Sequence, residues 1–177
     1  MNNLKNNSSD KTFNIVLSGI IAAIYVVLGL LTSLFGLSFG PIQFRISEAL
    51  YIVFLDSPAM IPGMVIGCAV TNLFSPYGMI DVLVGSIATL LSAVAAYKAR
   101  AVMVKKVPWL SMLAPVVFNA LIVGAEIAAI QTAGKATFVT FVTMMAQVAV
   151  GEIAVVAFGY FLRNILNSNK AKRGNKL

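Results

Sequence analysis

TFNIVLSGIIAAIYVVLGLLTSLFGLSFGPIQF, residues 12–44, holds no charged side chain. A bilayer's hydrocarbon core needs about 20 apolar residues in helical form, so the stretch supplies one full span and a following loop. It is too long for the short apolar core of a cleaved leader, and further apolar runs follow, so it reads as a retained helix over about 12–34. The whole chain repeats the message. Hydrophobic residues make up 59% of its 177 positions and charged residues 11%, with a mean hydropathy of +0.91. A soluble domain carries roughly a quarter charged residues. The expected fold class is all-α, a polytopic membrane protein.

Working outward, GLSFGPIQF (36–44) breaks the first helix with glycine, proline and aromatics. RISEALYIVFLD (45–56) predicts a short second helix, and SPAMIP (57–62) a turn. The third helix is expected over 63–74, ended by SPYG (75–78), the fourth over about 79–103, the fifth over 109–131 and the sixth over 138–166, with TAGKAT (132–137) between the last two. The domain reading is a polar N-terminal tail, 1–11, loosely held; a six-helix transmembrane domain, 12–166; and a basic C-terminal tail, 167–177. No internal repeat stands out, so an inverted-repeat transporter has no support.

The net charge of +7 is placed by topology rather than for nucleic acid, and no nucleic-acid partner is expected. Lys5 and Lys11 precede the first run, Lys98, Arg100, Lys105 and Lys106 lie between two runs, and Arg163, Lys170, Lys172, Arg173 and Lys176 follow the last. The other connections carry only Lys135. This is the positive-inside pattern, and with both termini and the 98–106 loop inside it requires an even number of spans. Six fits; five would strand one basic terminus outside. The expected location is a bacterial cell membrane, both termini cytoplasmic.

Several chemistries are excluded. The chain has no histidine, and its single cysteine, Cys68, cannot form an intrachain disulfide. Gly36, Ser38 and Gly40 spell G-x-S-x-G, but a nucleophilic serine needs a base, so the stretch reads as a loop. No G-x-x-x-x-G-K-[ST] occurs, so any ATP hydrolysis belongs to another subunit. Neither a metal nor a cofactor is expected, and the chain does not read as an enzyme.

Ionisable and amide groups at membrane depth are costly, and they are the default functional candidates. Glu126 lies near the outer end of helix five, and Asn119 sits on the same face and deeper. Helix six offers Gln147 and Glu152, five apart and about 140° around the helix, so they do not share one face. At the outer ends stand Arg45, Glu48, Asn72 and Asp81. Each has a plainer reading: an i,i+3 ion pair for Arg45 and Glu48, a helix cap for Asp81, interhelical glue for Asn72 and Asn119. Trp109 reads as belt decoration and Pro115 as a kink. Four acids against one base in the outer and middle zone need protons or a cationic partner, so a positively charged or donor-rich substrate is favoured. On helix one, Ser18, Gly19, Ala22 and Ala23 give small-xxx-small spacings on which a helix of this chain or of a partner could pack closely.

PIQFRISEALYIVF (41–54), SPAMIPGMVIGCAVTNLF (57–74), GMIDVLVGSIATLLSA (78–93) and AVGEIAVVAFGY (149–160) together resemble the queuosine-precursor transporter family QueT, whose members are substrate-binding S components of energy-coupling-factor (ECF) transporters. The resemblance runs over roughly 12–166. It implies six helices, an outward-facing pocket capped by the loop between helices one and two, and docking of helix one onto a membrane coupling subunit driven by two ATPase subunits. The implied docking stripe is alanine-rich; here it carries Ser18 or Gly19 where the motif has alanine. The implied ligand is a 7-deazaguanine such as 7-aminomethyl-7-deazaguanine. Its adjacent N–H donors suit a carboxylate, its carbonyl suits Gln147, Asn119 or Arg45, and its ammonium group uses a second carboxylate. Phe39, Phe44, Tyr51 or Tyr77 would stack on the ring. The expected ligand position is between helices five and six under the 34–47 loop, with Glu126 and Glu152 leading. The competing reading is a stand-alone proton-coupled secondary transporter of a small cationic substrate or vitamin-like molecule, with Glu126 or Glu152 as the proton relay.

Overall fold

The computed structural model of the protein describes residues 2–39 and 42–174, and for 2–9 and 170–174 the backbone only. Gly40 of the G-x-S-x-G stretch, Pro41 and Lys176 lie outside the described residues, as do the side chains of Lys5, Lys170, Lys172 and Arg173. Helices α1 (Asn2–Leu34), α2 (Leu50–Val53), α3 (Met60–Asn72), α4 (Met79–Ala99), α5 (Trp109–Gln131) and α6 (Phe138–Gly174) make up the fold, with a 3-10 turn, Ile46–Ala49, leading into α2. Among the described residues there is no β-strand, and one isolated bridge joins Val104 to Val107. Four helices carry stretches long and apolar enough to cross a membrane: Asp10–Leu34, Met79–Ala99, Trp109–Gln131 and Phe138–Asn169.

The boundaries differ from expectation in instructive places. α1 begins at Asn2, inside the polar segment read as a loose tail. It ends where Gly36, at φ 70°, lets the chain turn back: Gly36 N–H bonds the Ser33 carbonyl and Leu37 N–H that of Thr32. Only a residue without Cβ takes that left-handed position cheaply. The expected second helix shrinks to the 3-10 turn plus one α-turn, because Ser57-Pro58 closes the segment and disfavours helix before it. α3 starts three residues early, with Pro62 in its first turn, where a missing N–H costs nothing. α4 stops at Ala99 rather than 103, and α6 continues to Gly174.

Close backbone approaches fix the relative directions. The Ser18 hydroxyl donates to the Ala59 carbonyl, Gly63 abuts Ile21, Gly67 abuts Tyr25 and Gly29 abuts Thr71. The numbers rise together, so α1 and α3 run in parallel. The segment 43–56 likewise runs parallel to α6: Gly151 lies against the Gln43 carbonyl, Gly159 against Ala49, and Arg163 donates to Asp56 at 2.7 Å. Packing closes a ring in the order α1, α3, α4, α5, α6 and then the 3-10 turn with α2, which touches α6 on one side and α1 on the other. Apolar residues including Ile21, Tyr25, Tyr51, Met60, Met64 and Val156 form the main core.

A methyl group on Gly159 would lie 2.5 Å from the Ala49 carbonyl oxygen, whereas one on Gly19 would meet nothing within 4 Å. Thermal unfolding of the purified protein should therefore show Gly159→Ala destabilised by about 1–3 kcal/mol and Gly19→Ala at least as stable as wild type.

Candidate functional site

Four of the protein's six acidic residues, Glu48, Asp81, Glu126 and Glu152, are buried inside the ring, with Arg45. At mid-depth, the amide nitrogen of Asn119 on α5 donates to Glu48 Oε2 at 2.5 Å and to Glu152 Oε1 at 2.7 Å. An amide has two N–H groups, so one nitrogen serves both carboxylates. The Tyr25 hydroxyl on α1 donates to Glu48 Oε1 at 3.2 Å. The 3-10 turn brings Glu48 here because its descent beside α6 places residue 48 opposite the middle of α5.

One layer toward the α3–α4 turn, the Arg45 guanidinium spans Asp81 at 3.6 Å and Glu48 at 4.0 Å, and its Nε donates to the Ser38 carbonyl at 3.2 Å. It lies over the Phe39 ring, 5.5 Å from the centroid. Tyr77 ties this loop to the α3–α4 turn by donating to the Phe39 carbonyl at 3.1 Å. Asn72 at the end of α3 donates to the Asp81 backbone carbonyl at 2.9 Å and to its carboxylate at 3.4 Å. Asp81 does not cap α4: Gly78 holds that position and no side chain bonds the free N–H groups. Burial inside the ring, against Arg45 and Asn72, is its actual setting.

The structure thus brings Arg45, Glu48, Asn72, Asp81, Asn119 and Glu152 into one connected network. Glu126 is buried on α5 seven residues beyond Asn119, and it lines a cavity of about 540 Å³ with Ile80, Val84 and Ala129. Gln147 is half-buried and lines a separate recess of about 390 Å³ with Ile42 and Thr143, as its angle to Glu152 foretold. Phe44 is half-buried, and its backbone N–H bonds the Leu37 carbonyl. Of the small residues on α1, Ser18 and Ala22 are buried against α3, so intramolecular packing takes that pair; Gly19 and Ala23 face outward. Tyr25 was missed by sequence reasoning. Its signal was a hydroxyl in the middle of an otherwise apolar span.

Unpaired atoms indicate what the site accepts. Among the described residues, buried side-chain atoms without a hydrogen bond are the acceptors Asn72 Oδ1, both Glu126 oxygens, Gln147 Oε1 and Glu152 Oε2, the hydroxyls of Ser47, Ser86 and Ser92, and Arg163 Nη1, while Asp81 Oδ2 and Arg45 Nη2 lack a hydrogen bond but are ion-paired with each other. Each such atom costs about 1–3 kcal/mol. Among the described residues, carbonyl and carboxylate oxygens without a hydrogen bond outnumber such nitrogen donors, and that excess can be met by protons or by a ligand rich in N–H groups and bearing positive charge.

A family model described as QueT transporter matches residues 15–168 of the chain. Over 81 residues the chain is 41% identical to the queuosine precursor transporter QueT of Lactococcus lactis subsp. cremoris (strain MG1363). That match covers 46% of this chain and 47% of the relative, about half the length of each. No solved structure matches.

Asn119 is the shared donor of two buried carboxylates, so its loss should leave both exposed to each other. Asn119→Ala is expected to cost about 1–3 kcal/mol in chemical unfolding, and adding Glu152→Gln should recover part of that loss. Strictly additive losses in the double variant would contradict the coupling.

Proposed function

The chain belongs to the QueT transporter family, and from that membership we propose that it is the substrate-binding membrane subunit of an ECF-type, ATP-driven importer that takes up a queuosine precursor, a 7-deazaguanine such as 7-aminomethyl-7-deazaguanine. The observation that carries the substrate reading is the surplus of unpaired acceptors in the ring. A guanine-like edge presents adjacent N–H donors that a carboxylate accepts in bidentate fashion, and the aminomethyl ammonium occupies a second carboxylate. Arg45 supplies a donor for the ring carbonyl. Glu126, with neither oxygen engaged, and Glu152, with one oxygen free, are the leading ligand groups; Asn72, Asp81, Asn119, Glu48 and Gln147 complete the polar surround.

The proposed topology has six crossings with both termini cytoplasmic. Two observations support it beside the lysine and arginine placement. The parallel course of 43–56 with α6 carries the chain from the Ser38 level down to Asp56 beside Arg163, and the parallel course of α3 with α1 brings it back. The pair therefore counts as two passes, short though α2 is. The 34–47 loop then faces outside, with Phe39, Arg45 and Tyr77 over the network.

ATP use is assigned to separate subunits because the sequence lacks a phosphate-cradling motif. The outward small residues Gly19 and Ala23 on α1 are the proposed docking face for the coupling subunit, since two helices approach closely only over small side chains.

Calorimetry with 7-aminomethyl-7-deazaguanine tests the site. Glu126→Gln and Glu152→Gln should each weaken binding roughly ten- to a hundredfold, the equivalent of a lost charge-assisted hydrogen bond. Wild-type affinity in both variants would move the role to Glu48 and Asp81. A second test separates docking from binding. In vesicles with coupling and ATPase subunits, Ala23→Trp should bind ligand normally yet lose most ATP-dependent uptake, whereas Ala22→Trp, wedged against α3, should lose stability and binding together. Full uptake by Ala23→Trp would remove α1 from the docking face.

A further inference from the structure

At the end of the bundle that carries the 98–106 loop, α5 and α6 part to form a groove of about 350 Å³, lined by residues that include Val107, Trp109, Met112, Ile153, Ala157 and Tyr160. On each helix the lining runs over eight residues, 109–116 and 153–160, or roughly 10 Å at helical rise. Val107, where the groove begins, also closes a tight turn. Its N–H and carbonyl exchange 3.0 Å hydrogen bonds with Val104, and the two residues at the tip are Lys105 and Lys106. Both lysines are exposed and both take left-handed backbone angles, φ 51° and 66°. Such a two-residue turn ordinarily uses asparagine and glycine. Here it holds two consecutive exposed lysines in the turn that ends at Val107, where the apolar groove begins, while the nearby Arg100 is turned onto Tyr97.

We propose that this turn and groove form a binding site for one anionic phospholipid, with the headgroup phosphate on Lys105 and Lys106 and an acyl chain lying along the groove between α5 and α6. The chemistry fits at both ends. Paired lysines at a membrane surface attract anionic headgroups. Trp109 and Tyr160 place amphipathic rings in the same groove, as residues at the headgroup level do. The groove interior offers an acyl chain apolar walls through Met112, Ile153 and Ala157. A docked protein helix is the less fitting occupant. The outward small-residue face of α1 lies elsewhere on the ring, since α1 packs on α3 and the 3-10 turn while α5 packs between α4 and α6. That leaves the α5–α6 groove to lipid when a partner is bound.

Trp109 is the single tryptophan in the chain and sits in the groove, so it reports its own occupant. The full-length protein is placed in bilayers of phosphatidylglycerol and phosphatidylcholine, with bromine carried on the acyl chains of one lipid or the other at equal mole fraction. Brominated phosphatidylglycerol should occupy the quenching site with a preference of roughly fivefold or more over brominated phosphatidylcholine, the ratio expected from one lysine's attraction. Lys105→Gln with Lys106→Gln should erase the preference, which tests the headgroup contact. Ala157→Phe, filling the groove with the lysines intact, should also erase it, which separates a seated chain from general enrichment of anionic lipid around a basic loop. Equal quenching by the two lipids in the wild type, or a preference that survives either variant, would overturn the proposal.

Discussion

Buried charge is the constraint on which this fold depends. Carboxylates placed in a low-dielectric interior are tolerated only when donors and opposite charge surround them, and losing one partner of a buried pair is far costlier than the pair is stabilising. Here the interior gathers Glu48, Asp81, Glu126 and Glu152 with Arg45, and partners for three of them come from several elements: Tyr25 from α1, Asn72 from α3, Asn119 from α5, and Arg45 from the segment before the 3-10 turn. The short 46–53 region makes sense in this light. A long regular helix would pack well enough against lipid, but a tight turn with backbone against Gly151 and Gly159 lets Glu48 reach the centre.

Apolar composition was enough to read the helices, and the positions of four long ones agree with the sequence to within a few residues at most of their ends. Which side of each helix faces inward was much harder to read. Lipid tails are as apolar as leucine, so the amphipathic stripe that orients a soluble helix is faint in a membrane. Ser18/Ala22 and Gly19/Ala23 have the same spacing, yet one pair packs on α3 and the other faces out; nothing local distinguishes them. Polar residues were the better guide. Six of those named at membrane depth do meet in one network, because a polar group in that setting must find a partner and the partners are few. Glu126, one of the two leading candidates, stands apart from it with Gln147 and Phe44, and Tyr25 joined it unannounced, since its ring is at home in an apolar run and only its hydroxyl needs a partner. The 45–56 segment was misjudged in length because a 3-10 turn leaves no signature in hydrophobic periodicity.

Architecture and transport chemistry meet at the loop over the network. Phe39 and Arg45 are held together by a ring–guanidinium contact and by the Ser38 carbonyl, and Tyr77 clamps the same loop to the α3–α4 turn. In the structure Arg45 lies against Asp81 and Glu48, so its positive charge occupies ground that a cationic ligand would also seek. Entry of such a ligand would relieve the unpaired acceptors and compete with Arg45 for Asp81 and Glu48. Under the proposed function, binding and loop position would be linked through this shared set of carboxylates.

The central claim is that this interior selects a ligand for positive charge as well as for its hydrogen-bonding edge. The most direct measurement compares, by calorimetry at neutral pH, 7-aminomethyl-7-deazaguanine with the same ring carrying an uncharged substituent of similar size. The cationic ligand should bind roughly tenfold tighter or better, the worth of one charge-assisted hydrogen bond, with the advantage shrinking as salt rises only if the site is open to solvent. Equal affinity for the two would contradict the claim that the carboxylates of the ring recognise the ligand's charge.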